Sequence, residues 1–102
     1  MLTRRLCIKA GQRLSYHYHN MRTEVWTITA GRATLVINGV VSLVTSGAVI
    51  EIPRGTRHCL QAQEDTELVE VQIGTVTMDD DIVLLEEELQ HFFSSPAMRN
   101  SE

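Results

Sequence analysis

The sequence predicts an all-β domain, a small antiparallel β-barrel followed by one C-terminal α-helix. Three observations predict it. Short runs rich in Val, Ile, Leu and Thr follow one another up to residue 74, each bounded by Gly, Pro, Asn or Ser. No helical stretches separate these runs, as a parallel α/β sheet would require. Beyond Gly74 the apolar spacing changes, and Ile82, Leu85, Leu89 and Phe92 recur at helical intervals.

Strands are expected over residues 4–9, 12–19, 24–30, 32–38, 40–45, 48–52, 57–62 and 67–73. The strongest turn signal is Asn38-Gly39, because both residues tolerate the positive φ of a type I′ hairpin. Gly31, Ser46-Gly47 and Pro53-Arg54-Gly55 mark further turns. Asp79, Asp80 and Asp81 can cap the following helix and complement its positive N-terminal end. These assignments place the barrel at about 3–75, the helix at about 80–93 and a loose tail at 94–102 of one domain spanning 1–102. The helix is expected to lay its apolar stripe on the barrel or on a second subunit, with Glu86, Glu87, Glu88 and His91 on its solvated face.

With 102 residues, 43% hydrophobic and 22% charged, the chain has the composition of an ordinary globular domain with one core. Its formal net charge of -4 and lack of a Lys/Arg run argue against nucleic acid or an anionic membrane as partner, and favour a small-molecule substrate. No apolar stretch approaches the roughly 18 residues of a membrane helix. The opening Met1-Leu2-Thr3-Arg4-Arg5-Leu6 lacks the hydrophobic region of a signal peptide, so a cytoplasmic location is expected. In that setting Cys7 and Cys59 are read as reduced thiols, not a disulfide. Small barrels leave open sheet edges that a second copy can cover, and a homodimer is expected.

Alternation along a strand sends residues i and i+2 to one face, so His17 and His19 point together while Tyr16 and Tyr18 point the other way. Glu24 opens the next strand, and a hairpin of this length can return its carboxylate to the two imidazoles. His58 follows the Pro53–Arg57 turn and can supply a fourth ligand from across the barrel. Three imidazoles and one carboxylate suit one divalent ion, zinc first, with manganese, cobalt, nickel or iron as alternatives. Cys59 should face away from that ion. In Leu68-Val69-Glu70-Val71-Gln72-Ile73, the face carrying Glu70 and Gln72 is polar where a core face should be apolar, so it either meets water or lines the cavity.

The full pattern is Gly11-x5-His17-x-His19-x4-Glu24-x6-Gly31, then Gly47-x5-Pro53-x-Gly55-x2-His58. Its spacing resembles the two motifs of the cupins at every position, which implies a double-stranded β-helix, or jelly roll, holding a metal ion. Within that group the chain most resembles the C-terminal mannose-6-phosphate isomerase domain of the type II enzymes, a domain often fused to a mannose-1-phosphate guanylyltransferase. The segments that carry the resemblance are Ile8–Ser15, His19–Trp26, Ile52–His58 and Val69–Gly74, leading to Asp80-Asp81-Ile82. The family usually has Gln where this chain has His17, and an Arg where Leu84 stands.

The resemblance implies aldose-ketose isomerisation of a sugar phosphate through an enediolate. It turns the polar face of the Leu68–Ile73 strand toward the cavity, with Glu70 as a candidate base or orienting group and Gln72 as a substrate contact. Arg22, Arg54 and Arg57 are the cations left to hold a phosphate. Trp26, on the face of Glu24 and Ile28, is read as packing beside the site or as a stacking platform for a sugar. Two other functions fit the same ligands: an Fe(II)-dependent oxygenase, and a non-catalytic cupin that binds a small molecule or sugar.

Overall fold

A computed structural model describes residues 1–74 and 82–85. The described chain is all strand: β1 (Leu2–Ile8), β2 (His17–His19), β3 (Arg22–Ala30), β4 (Arg32–Ile37), β5 (Val40–Thr45), β6 (Val49–Ile52), β7 (His58–Ala62), β8 (Thr66–Gly74) and β9 (Ile82–Leu84). They form two antiparallel sheets, of order β1-β8-β3-β6 and β5-β4-β7-β2-β9. The period-2 pattern dictates which side is inside. Alternate residues of β3 (Arg22, Glu24, Trp26, Ile28) and of β8 (Thr66, Leu68, Glu70, Gln72) are buried, and their neighbours are half-buried or exposed. Between the sheets, Leu6, Ile8, Ile28 and Leu68 meet Leu14, Ala33, Leu35, Leu60 and Ala62 in one apolar cluster.

Two turns show the local chemistry most directly. Asn38 and Gly39 take φ of 46° and 82°, as a type I′ turn requires, and β4 pairs with β5 down to Ile37↔Val40. Gly31 takes φ of 91° between β3 and β4, where a Cβ would lie 2.3 Å from the Asp65 carbonyl oxygen, so both the backbone angle and the space require glycine.

The structure corrects the expected elements in two places. The segment 12–19 is a strand only at His17–His19; before it, Arg13 makes an isolated bridge to Gln61. The carbonyl of Ser15 turns to the ring of His17 instead of joining a ladder. Ile82–Leu84, expected to begin the helix, is instead β9, paired with β2 as His17↔Leu84, Tyr18↔Val83 and His19↔Ile82. Without β9 the hydrogen-bonding edge of β2 would be open, and the β-branched Ile82 and Val83 suit a strand, so tertiary pairing overrides the helical spacing. The remainder of the expected helix, with Glu86–Glu88, Leu89, His91 and Phe92, and the tail 94–102 lie outside the described residues.

Leu85 does reach the barrel's outer surface. It packs on a second cluster of Tyr16, Val36 and Cys59, and its amide donates to the Tyr16 carbonyl at 2.8 Å. Cys59 therefore faces away from the interior, with its thiol donating to the Leu14 carbonyl, while Cys7 is an exposed free thiol. Among the described residues, no helix is long and apolar enough to cross a membrane.

Candidate metal centre

Strand alternation in β2 puts His17 and His19 on the inner face, and antiparallel pairing sets His58 of β7 directly opposite His17. All three imidazoles are buried, with ring centroids 4.7 Å apart for His17 and His19, 4.3 Å for His17 and His58, and 5.8 Å for His19 and His58. Their ligand atoms lie within 4.8 Å of one another, so the three could hold a metal ion. Two of the rings are oriented from behind. Nδ1 of His17 meets the Ser15 carbonyl at 2.8 Å, and Nδ1 of His58 meets the Thr56 carbonyl at 2.8 Å. Such hydrogen bonds fix the ring and leave Nε2 with the free lone pair, as in metal-ligating histidines.

The donor set fits a divalent ion on this structure's own chemistry. Nε2 of His58 is buried without a hydrogen-bond partner, an arrangement that costs free energy unless something completes it. Two of the rings are also held neutral, the protonation state a metal needs. Burial, followed by the nearby His58, lowers the pKa of His17 to about 3, and burial lowers that of His58 to about 4.

Glu24, from the start of β3, reaches the same place. Its Oε2 lies 3.3 Å from Nε2 of His19 and its Oε1 3.7 Å from Nε2 of His58. Trp26 donates through Nε1 both to Glu24 Oε1, at 3.0 Å, and to Glu70 Oε1, at 3.1 Å, so the indole joins the two carboxyl groups. Glu70 in turn receives Arg4 and, at 2.8 Å, the side-chain amide of Gln72. Burial, then the charge of Glu70 and a hydrogen bond to it, push the Glu24 carboxyl above the usual carboxylate range, although Arg22 opposes this. Burial also pushes Glu70 up, but hydrogen bonds with Gln72 and Glu24 and the Arg4 charge outweigh it and hold Glu70 low.

The other expected site residues separate into two groups. Arg22, Glu70, Gln72 and Trp26 are buried at the centre, and the polar face of β8 lines the interior. Arg22 is engaged there by Glu24, at 2.8 Å from Nε and 2.7 Å from Nη2. Arg54 and Arg57 are exposed instead. Arg57 precedes the inward His58, so alternation turns it out, and its guanidinium sits 5.9 Å from the centroid of the Tyr18 ring. Leu84 shares the inner face with its cross-strand partner His17 yet is 59% exposed, which puts an apolar side chain at the rim of the site. Sequence reasoning missed Arg4 and the carbonyls of Ser15 and Thr56. Arg4 had a usable signal, since it stands two and four residues before the inward Leu6 and Ile8.

Two facing antiparallel sheets with a His-x-His strand, a following Glu and a His from the opposite strand define the protein as a cupin, a double-stranded β-helix. Solved structures share that fold. The chain superposes with a TM-score of 0.74 on oxalate decarboxylase from Bacillus subtilis, at 23% identity over 87% of this chain and 25% of that one. A double-stranded β-helix protein from Klebsiella pneumoniae gives 0.73 at 22% identity, over 82% of this chain and 69% of that one. More specifically, the chain belongs to the mannose-6-phosphate isomerase C-terminal family, whose model matches residues 1–87. It is 37% identical over 86 residues to a mannose-1-phosphate guanylyltransferase of Salmonella typhimurium, which covers 82% of this chain but 18% of that protein. The chain thus spans less than a fifth of the length of such curated relatives.

Proposed function

We propose that this domain is a metal-dependent sugar-phosphate isomerase of the mannose-6-phosphate type, with His17, His19, Glu24 and His58 as ligands of one divalent ion, zinc by preference. The observation that carries the reading is the unpartnered Nε2 of His58, buried beside two further imidazoles and the Glu24 carboxyl. When bound, the ion would engage the sugar oxygens and offset the negative charge of an enediolate. Glu70 is ionised and takes the proton from one carbon of the substrate and returns it to the next, while Arg4 and Gln72 hold its orientation. Gln72 presents a buried side-chain oxygen that has no hydrogen-bond partner, which suits a sugar hydroxyl as donor. Trp26 closes the wall behind both carboxyl groups.

Assay of the metal-loaded protein with mannose 6-phosphate tests this. Wild type should form fructose 6-phosphate, and Glu70→Gln should keep the metal and lose turnover. Full activity in that variant would remove Glu70 from the proton path. Three observations favour a second reading, a cupin that binds a sugar or another small molecule without turnover: Arg54 and Arg57 are exposed away from the cluster, Arg22 is paired with Glu24, and Leu84 stands at the rim. Saturable sugar binding with no product would favour it, and oxygen uptake by an iron-loaded sample would point to an oxygenase. The same proposal includes a homodimer, supported by the uncharged edge strand β5 with Val40, Val41 and Leu43 exposed; light scattering tests it.

A further inference from the structure

Trp26 is the one tryptophan of the chain, it is 1% exposed, and three groups of the site meet it. Its indole Nε1 donates to Oε1 of Glu24 at 3.0 Å and to Oε1 of Glu70 at 3.1 Å, a three-centre hydrogen bond. Its ring stands at 79° to that of His58, with centroids 5.4 Å apart. Strand register explains the reach. Trp26 of β3 pairs directly with Glu70 of β8, and alternation puts Glu24 on the same inner face two residues earlier.

The second oxygen of each carboxyl is held by other groups. Oε2 of Glu24 takes both bonds from Arg22, and Oε2 of Glu70 takes those from Arg4 and Gln72. A carboxyl held at one oxygen can still turn about its last torsion, which is broad in glutamate. The indole N–H restricts that torsion in both groups at once, because it binds Oε1 of each. In Glu24, Oε1 is the oxygen 3.7 Å from the unpartnered Nε2 of His58. A carboxyl already set in place spares the metal the entropy of ordering it.

We propose that Trp26 is a positioning residue of the metal centre, whose single N–H sets the Glu24 carboxyl toward His58 and ties Glu70 to the same point. The proposal rests on the metal-binding reading above. This role belongs to the N–H and is separable from the packing of the ring. A side chain of the same shape without the N–H would fill the space and leave both carboxyl groups free to turn. Neither would lose its charged partner, since Arg22 stays with Glu24 and Arg4 with Glu70.

The experiment is a Co2+ titration of the metal-free protein, followed by absorbance, for wild type, for Trp26→Phe and for protein carrying the benzothiophene analogue of tryptophan. The analogue keeps the fused rings and has sulfur in place of the N–H, and with one tryptophan in the chain its incorporation changes this position alone. Both altered proteins should bind Co2+ about tenfold more weakly than wild type, the scale on which removing a group that orients a metal ligand acts. Wild-type affinity in the analogue protein would overturn the proposal, whatever Trp26→Phe shows, because packing alone would then account for Trp26; the metal site would stand. Should Trp26→Phe not fold, the analogue decides by itself. No Co2+ uptake by wild type would overturn the metal reading and this inference with it.

Discussion

The two ends of the barrel are built by the same strands and differ in kind. Along the inner face of β3 the residues run Arg22, Glu24, Trp26, Ile28, and along β8 they run Gln72, Glu70, Leu68, in a register that pairs Glu24 with Gln72, Trp26 with Glu70 and Ile28 with Leu68. β7 follows the same course from His58 to Leu60 and Ala62. One end is therefore a closed apolar core and the other a buried polar cluster. Alternation decides which residues point inward, and position along the strand decides whether the inward residue is apolar or polar. The apolar end stabilises the fold, and the polar end carries desolvated groups whose burial costs free energy unless they are paired.

The largest effect should come from the apolar end. Ile28→Ala removes a fully buried side chain opposite Leu68 and should cost about 2–5 kcal/mol in a urea melt. A loss well under 1 kcal/mol would mean that this end is not the main source of stability.

Acid should expose the polar end next. His17 and His58 have folded pKa values of about 3 and about 4, below an ordinary 6.5, so below pH 6.5 the unfolded chain takes up protons that the fold excludes. The metal-free protein should therefore lose stability as pH falls from about 6.5 to 4, by up to roughly 3 kcal/mol per histidine. Glu24, raised in the fold, works in the opposite sense by losing stability as pH rises, and partly offsets this slope. Melts of His58→Leu should show a shallower acid loss than wild type; an unchanged slope would mean that His58 does not titrate as its burial dictates.

The Asn38-Gly39 hairpin belongs to neither end and sets an intermediate scale. Gly39→Ala places a side chain at φ of 82° and should cost about 1 kcal/mol without altering metal uptake. The smallest effect is expected at neutral pH from His58→Leu in metal-free protein. It replaces an unpartnered buried nitrogen with an apolar group of similar size, and should be neutral or slightly stabilising while abolishing tight metal binding. Severe destabilisation there would blur the distinction between the two ends.

Much of this was legible from residues alone. Seven of the eight expected strands lie within a residue or two of their observed limits, because period-2 alternation and turn residues such as Asn38-Gly39 are local signals. The convergence of His17, His19, Glu24 and His58 was equally legible, since motif spacing encodes the strand register. Ile82–Leu84 was misread, because its spacing fits a helix and only the open edge of β2 makes it a strand. Arg54 and Arg57 were placed by nearness in sequence to His58, which says nothing about facing; alternation from His58 would have turned Arg57 outward. The pairing of Arg22 with Glu24 and His19 depends on side-chain geometry that no spacing specifies.

The central claim is that the polar end is a metal centre, and the direct measurement is the metal content of untagged protein, wild type beside His19→Ala. The account predicts near one equivalent of a divalent metal in wild type, removable by chelator and restored by Zn2+, and little in the variant. Absence of metal from wild type, with no uptake on titration, would contradict it.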